Sequence, residues 1–289
     1  MIAYPFVSSL RPAAPWRDRR GRLSLLKAGV LVGLAAPAAA ALVRLVLGVY
    51  GAEPVERLQD EAGLWALRFL LLSLAVTPLR LLWRWGRLVE VRRLVGLAAF
   101  AYAALHLLAY AALQDWVLVK IASEIARRSY LTIGFTALLG LAVLAATSTD
   151  TAVRRLGPVR WQRLHRLAYP IAVLAAVHFF VQTRLDPSPA IVVAGVLAWL
   201  LALRLWRWRA GRLAATTALV SALLATLATA GGEALLFHLR FGVDIATLLA
   251  TNVSTAAGIR PAWWVAGLTI LPAMVALGRK DRTAGRRTA

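Results

Sequence analysis

Long apolar runs, separated by short connections rich in arginine, cover almost the whole chain. An α-helix needs roughly 20 predominantly apolar residues to cross a bilayer, and each run approaches or exceeds that length. The pattern predicts eight membrane-spanning helices, at residues 23–50, 63–82, 94–113, 130–147, 167–182, 190–206, 213–232 and 262–277. We therefore predict an all-α polytopic membrane protein.

The first apolar run permits two interpretations. It follows several basic residues and contains the small-residue stretch AAPAAAA, so it also fits a secretory signal with a cleavage site. The apolar pattern continues to Tyr50, well beyond that stretch. This continuation favours an uncleaved first helix.

Composition agrees with a membrane protein and narrows its chemistry. The chain is 60% hydrophobic, and its mean hydropathy of +0.69 is far above that of a soluble domain. The net charge of +21 comes from short clusters between apolar runs, which is typical of membrane topology and not of one basic face that binds nucleic acid. The sequence contains no cysteine, which excludes disulfides, iron–sulfur clusters, thiolate-ligated haem and covalently attached c-type haem.

The distribution of charge predicts the orientation of the chain. Of the 34 Lys and Arg residues, 25 lie in the N-terminal arm, the second, fourth and sixth connections and the C-terminal tail. Seven lie in the connections of the opposite face, together with nine of the thirteen acidic residues. Under the positive-inside rule, both termini are therefore cytoplasmic.

Two histidines in different apolar runs are candidate haem ligands. Counted from the cytoplasmic ends of their predicted helices, His106 lies about 18 Å and His178 about 20 Å into the membrane. Imidazoles that face each other from neighbouring helices form an axial ligand pair for haem iron. A membrane histidine can also bond a neighbouring helix, carry protons or line a transport cavity. Their equal depth favours His106 and His178 as ligands of one haem.

A third histidine, His165, lies at the start of the same run as His178 and has no obvious imidazole opposite it. At its level the third run offers Arg92 and Arg93. On an ideal helix the 13 residues to His178 turn through about 220°, so the two side chains would not share a face. Pro170, between them, can kink the helix and change that phase. The fourth histidine, His238, is interpreted as a surface or interfacial residue.

Arginines are the other candidates for binding a cofactor. Arg68 lies about five residues into the second span, where it could pair with a haem propionate, pair with an anionic headgroup or extend to the membrane surface. Arg160, Arg163 and Arg166 crowd the entrance to the fifth span, where they could hold a flavin phosphate or attract an acidic donor protein. Topology alone would also account for this second group.

The residues from about 51 to 208 resemble the MsrQ (YedZ) family of haem-binding membrane subunits, within the ferric-reductase-like transmembrane superfamily. The resemblance rests on collinear blocks, namely GAEPVERLQDEAG, ALRFLLLSLAVTPLR, RRLVGLAAFAYAALHLLAY, RSYLTIGFTALLGLAVLAATST and LGPVRWQRLHRLAYPIAVLAAVHFF. It implies a six-helix haem domain over 23–210, preceded by a basic cytoplasmic arm (1–22). Two extra spans (211–278) and a basic cytoplasmic tail (279–289) would follow.

The resemblance also implies a function. It implies that His106, His165 and His178 are the family's haem-associated histidines, that the haem is of b type, and that FMN can be a further cofactor. Electrons would go to a periplasmic molybdopterin enzyme that reduces methionine sulfoxide in oxidised proteins. The larger ferric reductases and NADPH oxidases have two histidines on the third helix where this chain has one, which argues against a full two-haem ladder.

The sequence leaves the electron donor and two competing functions open. It contains no GxGxxG fingerprint and no P-loop, so a cytoplasmic flavin reductase or a membrane quinol is the expected donor. One alternative is a transporter or channel that uses the histidines, which acidic residues inside the spans would favour, but the six core runs contain none. The other is a haem-free scaffold for a periplasmic enzyme.

Overall fold

The computed structural model describes residues 14–17, 21–183, 186–254 and 258–285, with side chains as far as Arg279. Most of the predicted basic arm (1–22) and the end of the predicted tail (279–289) lie outside the described residues. The helices within the described ranges are α1 Leu25–Val46, α2 Pro54–Leu82, α3 Arg92–Leu113, α4 Leu118–Arg127, α5 Ser129–Ala146, α6 Asp150–His165, α7 Ala168–Gln182, α8 Ser188–Ala210, α9 Ala215–Phe241, α10 Ile245–Val253 and α11 Pro261–Gly285. A 3₁₀ segment, Gly86–Val91, leads into α3.

Eight helical segments of the described chain are long and apolar enough to cross a membrane. Six are the single helices α1, α2, α5, α8, α9 and α11, one joins the 3₁₀ segment to α3, and one joins α6 to α7. The predicted number of spans and the all-α class are therefore confirmed, and the protein is a multi-pass membrane protein. We call the face that holds the connections α2–α3, α5–α6 and α8–α9 the basic face, since their arginines lie there.

Two helices extend beyond their apolar runs. Helix α2 begins at Pro54, nine residues before the predicted start at 63, because a proline is accommodated in the first helical turn and polar residues continue the helix before the apolar part begins. Helix α9 continues to Phe241 instead of ending at 232. Glu233 and His238 therefore lie on a helix and not in a connection.

The most buried helices of the bundle are α2 and α8. Leu74 of α2 and Leu200 and Leu203 of α8 are among its most completely buried side chains, and α2 packs against α3, α7 and α8. Pro78 has no N–H to donate to the Leu74 carbonyl four residues earlier. The guanidinium of Arg204, on α8, donates to that carbonyl and also to its own Leu200 carbonyl. A partly buried arginine thus satisfies a carbonyl that the proline leaves without its helical donor.

The fifth span is broken between its two histidines. Helix α6 ends at His165 and α7 begins at Ala168, so two residues separate them. Pro170 explains the position of the break, because it cannot donate a hydrogen bond to the carbonyl of Arg166. The stretch 161–180 is therefore two helices, and the angle of 220° expected for an ideal helix does not apply to it.

The helices after α8 form a layer with their own polar contacts. Helix α9 packs against α8 and α11, and the short helix α10 lies against α9. The carboxylate of Glu233 is completely buried and lies 2.8 Å from a guanidinium nitrogen of Arg260, and the amide of Asn252 donates to it. Helix α10 is capped by Asp244, and the bond from the Thr247 N–H lowers the pKa of the Asp244 carboxyl. These contacts join α9, α10 and α11.

Candidate functional site

The structure brings His106 of α3 and His178 of α7 together, as their equal depth in the membrane predicted. The centres of the two imidazole rings lie 6.3 Å apart, and the ring planes meet at 80°. His178 lies four residues before the end of α7, and His106 seven before the end of α3. At about 1.5 Å per residue, the pair is roughly 6–10 Å from the helix ends opposite the basic face.

Each imidazole is held by a backbone carbonyl from a third or fourth helix. The Nδ1 atom of His106 lies 2.8 Å from the carbonyl oxygen of Gln59, on α2. The Nδ1 atom of His178 lies 2.8 Å from the carbonyl oxygen of Tyr130, on α5. Because a carbonyl can only accept, Nδ1 carries the proton in both neutral rings, and the lone pair is on Nε2. Both rings are therefore in the tautomer that binds a metal through Nε2.

The separation of the rings fits an iron between them. An imidazole–metal bond is about 2 Å long and a ring centre lies about 1 Å behind its nitrogen, so two axial imidazoles have centres roughly 6 Å apart. The observed 6.3 Å agrees with that value. Imidazoles that merely packed together would have no need of this spacing or of two matching Nδ1 bonds. The donor set therefore fits a haem that is bound through two histidines.

The surroundings of His165 are different. Its Nε2 atom lies 3.2 Å from the hydroxyl of Thr147, which itself donates to the Val143 carbonyl at 2.8 Å. The imidazole also stacks on the indole of Trp161, with centres 4.0 Å apart and planes at 26°. Since the Thr147 hydroxyl uses its proton elsewhere, Nε2 of His165 is the donor in this contact. His165 is thus paired with an indole and a hydroxyl, and not with a second imidazole.

The four candidate arginines lie apart from the histidine pair. Arg68 is exposed, and its guanidinium carbon lies 4.7 Å from the ring centre of Trp65 on the same helix. Arg160, Arg163 and Arg166 are exposed on α6 and at the turn that follows it, at the basic face. Their positions are compatible with a cofactor phosphate or a charged partner. Their roles remain predictions.

The sequence analysis missed the partners of the two imidazoles. Gln59 and Tyr130 act through backbone carbonyls, so no side-chain pattern could identify them. A signal did exist at the same depth: a glycine follows each of these residues by four positions, and Gly63 lies against His106 while Gly134 lies against His178. Asp60, the exposed residue next to Gln59, also lies close enough to interact electrostatically with His106.

Comparisons with known proteins bear on the same region. Residues 62–176, which contain His106 and His165, match the family described as the ferric reductase like transmembrane component. The chain is 46% identical over 192 residues to the "protein-methionine-sulfoxide reductase heme-binding subunit MsrQ" of Rhodospirillum rubrum. The aligned residues cover 65% of this chain and 89% of that protein. Proteins of the same name from Xanthomonas campestris pv. campestris and Azospira oryzae are 47% and 43% identical over 160 and 184 residues. The match to the Xanthomonas protein covers 54% of this chain and 72% of that protein. The match to the Azospira protein covers 62% of this chain and 79% of that protein. No solved structure matches the chain.

Proposed function

The chain belongs to the MsrQ family of haem-binding membrane subunits, and we propose that it carries electrons across the bacterial inner membrane to a methionine sulfoxide reductase. The partner would be a periplasmic molybdopterin enzyme that repairs oxidised periplasmic proteins. The observation that carries the proposal is the pair His106–His178, with both Nδ1 atoms bonded to carbonyls and ring centres 6.3 Å apart.

We propose that His106 and His178 hold a b-type haem through their Nε2 atoms. Haem, when bound, supplies a one-electron carrier inside the membrane. The carbonyls of Gln59 and Tyr130 keep the Nδ1 protons in place, fix the orientation of both rings and raise the basicity of the ligating nitrogens. Tyr102, one helical turn before His106 on α3, and Phe69, which packs against Tyr102, belong to the buried apolar core of the bundle.

Electrons would enter at the basic face and leave at the opposite one. The histidine pair is closer to the opposite face, which shortens the path to a periplasmic partner. On the basic face, Arg160, Arg163 and Arg166 would bind the phosphate of FMN or attract an acidic flavin reductase, because exposed guanidinium groups pair with phosphate and carboxylate oxygens. A membrane quinol is the alternative donor. Arg68 would pair with a propionate or with a lipid headgroup.

The optical spectrum of the purified protein tests this proposal first. We expect the spectrum of a low-spin, bis-imidazole haem. NADPH alone should leave that spectrum oxidised, whereas NADPH with a flavin and a soluble flavin reductase should reduce it, at a rate that falls as salt rises. A transport protein or a haem-free scaffold would show no such spectrum. Reduction by quinol without any effect of flavin would move the donor site from the arginines into the membrane.

Reporter fusions test the proposed orientation. A reporter placed after Arg209, at the end of α8 near the basic face, should report cytoplasm, and so should a reporter at the C-terminus. A reporter in the first connection, after Gly51, should report periplasm, and it leaves α2 and the carbonyl of Gln59 intact. A periplasmic C-terminus would mean that one of the two added spans does not cross the membrane.

A further inference from the structure

Two glycines occupy equivalent positions beside the two paired histidines. Gly63 lies on α2, four residues after Gln59, whose carbonyl binds His106. Gly134 lies on α5, four residues after Tyr130, whose carbonyl binds His178. The same arrangement of carbonyl and glycine therefore occurs twice, on different helices and for different histidines.

The spacing of four residues has a physical reason. In an α-helix each carbonyl accepts from the N–H four residues later, so the side chain of that later residue projects next to the carbonyl oxygen. A carbonyl oxygen has a second lone pair, which can accept from an imidazole only if the imidazole can approach it. A glycine at the later position leaves that approach open. Any other residue would put a Cβ atom there.

The distances show how little room is available. A Cβ at position 63 would lie 2.7 Å from Nδ1 and 3.0 Å from Cε1 of His106. A Cβ at position 134 would lie 2.7 Å from both Nδ1 and Cε1 of His178. Atoms in proteins do not approach a Cβ this closely, so an alanine at either position would displace the ring. Displacement would break the Nδ1 bond and change the orientation of the ring relative to its partner imidazole.

We propose that Gly63 and Gly134 are positioning residues for the two axial imidazoles. Each glycine admits one imidazole to one helical carbonyl, and that bond sets the tautomer and the plane of the ring. Together they produce the 80° angle between the rings and the spacing between them. The inference rests on the proposed haem-binding function, and it adds two residues of α2 and α5 to the determinants of that site.

Two other glycines of the bundle supply control positions, one on α5 and one on α3. Gly140 lies on α5 as Gly134 does, and its Cβ would lie 2.7 Å from the terminal methyl carbon of Ile171 on α7. The crowding is as severe and involves the same two helices, but the neighbour is an isoleucine. For the α2–α3 contact the control is Gly96, whose Cβ would lie 3.4 Å from the Ser73 hydroxyl.

The variants Gly63→Ala and Gly134→Ala are compared with Gly96→Ala and Gly140→Ala in the full chain. We expect the first two to bind haem roughly 10- to 100-fold more weakly, as occurs when other outer-shell partners of metal-bound histidines are lost, or to give a high-spin spectrum. The control variants should keep the native haem content and the low-spin spectrum. Native haem content and spectra in both Gly63→Ala and Gly134→Ala would overturn the inference, as would equal losses in the controls.

A measurement on the unmodified protein avoids any failure of a variant to fold. Imidazole planes near 80° should give the highly anisotropic low-spin ferric signal in electron paramagnetic resonance, and the Nδ1 protons should appear as exchangeable protons of the ligands. The rhombic signal of parallel planes would overturn the inference. Absence of haem from the unmodified protein would instead refute the proposed function itself, and the inference with it.

Discussion

His178 and His165 lie on the same span, 13 residues apart, but their surroundings differ in three respects. His178 faces a second imidazole, whereas His165 faces an indole. The bonded nitrogen of His178 is Nδ1, whereas that of His165 is Nε2. The partner of His178 is a helical carbonyl, which accepts from Nδ1, whereas the partner of His165 is the Thr147 hydroxyl, which accepts from Nε2.

This comparison shows that the presence of a histidine in a membrane helix does not by itself define a ligand. What distinguishes the pair is that Nδ1 of each ring bonds a backbone carbonyl while the two ring centres lie 6.3 Å apart. Such an arrangement uses four helices, because α2 and α5 supply the carbonyls while α3 and α7 supply the rings. His165 uses its Nε2 in a contact within the protein, with the Thr147 hydroxyl.

Histidine substitutions should have the largest effect on the haem spectrum, and they test the difference between His178 and His165 directly. We expect His106→Ala and His178→Ala each to abolish the low-spin spectrum, because each removes one of the two proposed axial ligands. His165→Ala should reduce the low-spin spectrum less than either of these variants. The control is His238→Ala, since His238 is exposed and its Nδ1 atom contacts the nearby Val243 carbonyl oxygen. Full haem retention in both of the first two variants would refute the pairing, and loss of all haem in His165→Ala alone would reverse the ranking.

Breaking the buried ion pair of the added helices should have a large effect on stability and little on the spectrum. Glu233→Ala leaves the Arg260 guanidinium without its carboxylate in a buried place, which typically costs about 3–5 kcal/mol. We expect a lower unfolding temperature with an unchanged low-spin spectrum in the folded protein. The milder variant Glu233→Gln keeps an acceptor for Asn252, so its unfolding temperature should lie between those of Glu233→Ala and the unmodified protein. A changed spectrum would show that the histidine pair depends on α9–α11.

The sequence predicted the number of spans, the fold class and the proximity of His106 and His178, because hydropathy and helix geometry determine depth in a membrane. It could not predict the break at residues 166 and 167 from periodicity, since Pro170 permits either a kink or two separate helices. The start of α2 was also missed, because its first two turns are polar. The roles of Gln59 and Tyr130 were hidden for a different reason: backbone carbonyls are the same in every residue.

Neutralising the three arginines near His165 should have a moderate effect on rate. The triple variant Arg160→Gln, Arg163→Gln and Arg166→Gln should slow reduction by flavin and flavin reductase several-fold and weaken its dependence on salt, because it removes charges that attract an anionic donor. A control with the same loss of charge on the same face replaces three arginines at and just after the end of α8 with glutamine, namely Arg207, Arg209 and Arg212. Equal slowing in both triple variants would show that the net charge of the face matters and not this cluster.

The smallest effect is expected at Thr147, whose hydroxyl contacts Nε2 of His165. A substitution there tests whether that contact keeps His165 from binding a metal. Thr147→Val keeps the shape of the side chain but removes the hydroxyl that accepts from Nε2 of His165. We expect a loss of stability of about 1 kcal/mol or less, which is typical of one hydrogen bond near the membrane surface, and an unchanged haem content and spectrum. His165→Ala combined with Thr147→Val should add nothing further, because the two groups lose the same contact.

The informative contrary result at Thr147 would be a gain of haem. If removal of the hydroxyl frees Nε2 and the haem content per protein rises towards twice that of the unmodified protein, His165 is a ligand that Thr147 holds back. The added signal should then disappear in the double variant with His165→Ala, while the signal of the pair remains. Without such a gain, the stack on Trp161 and the bond to Thr147 account for His165 as a structural residue of the basic face.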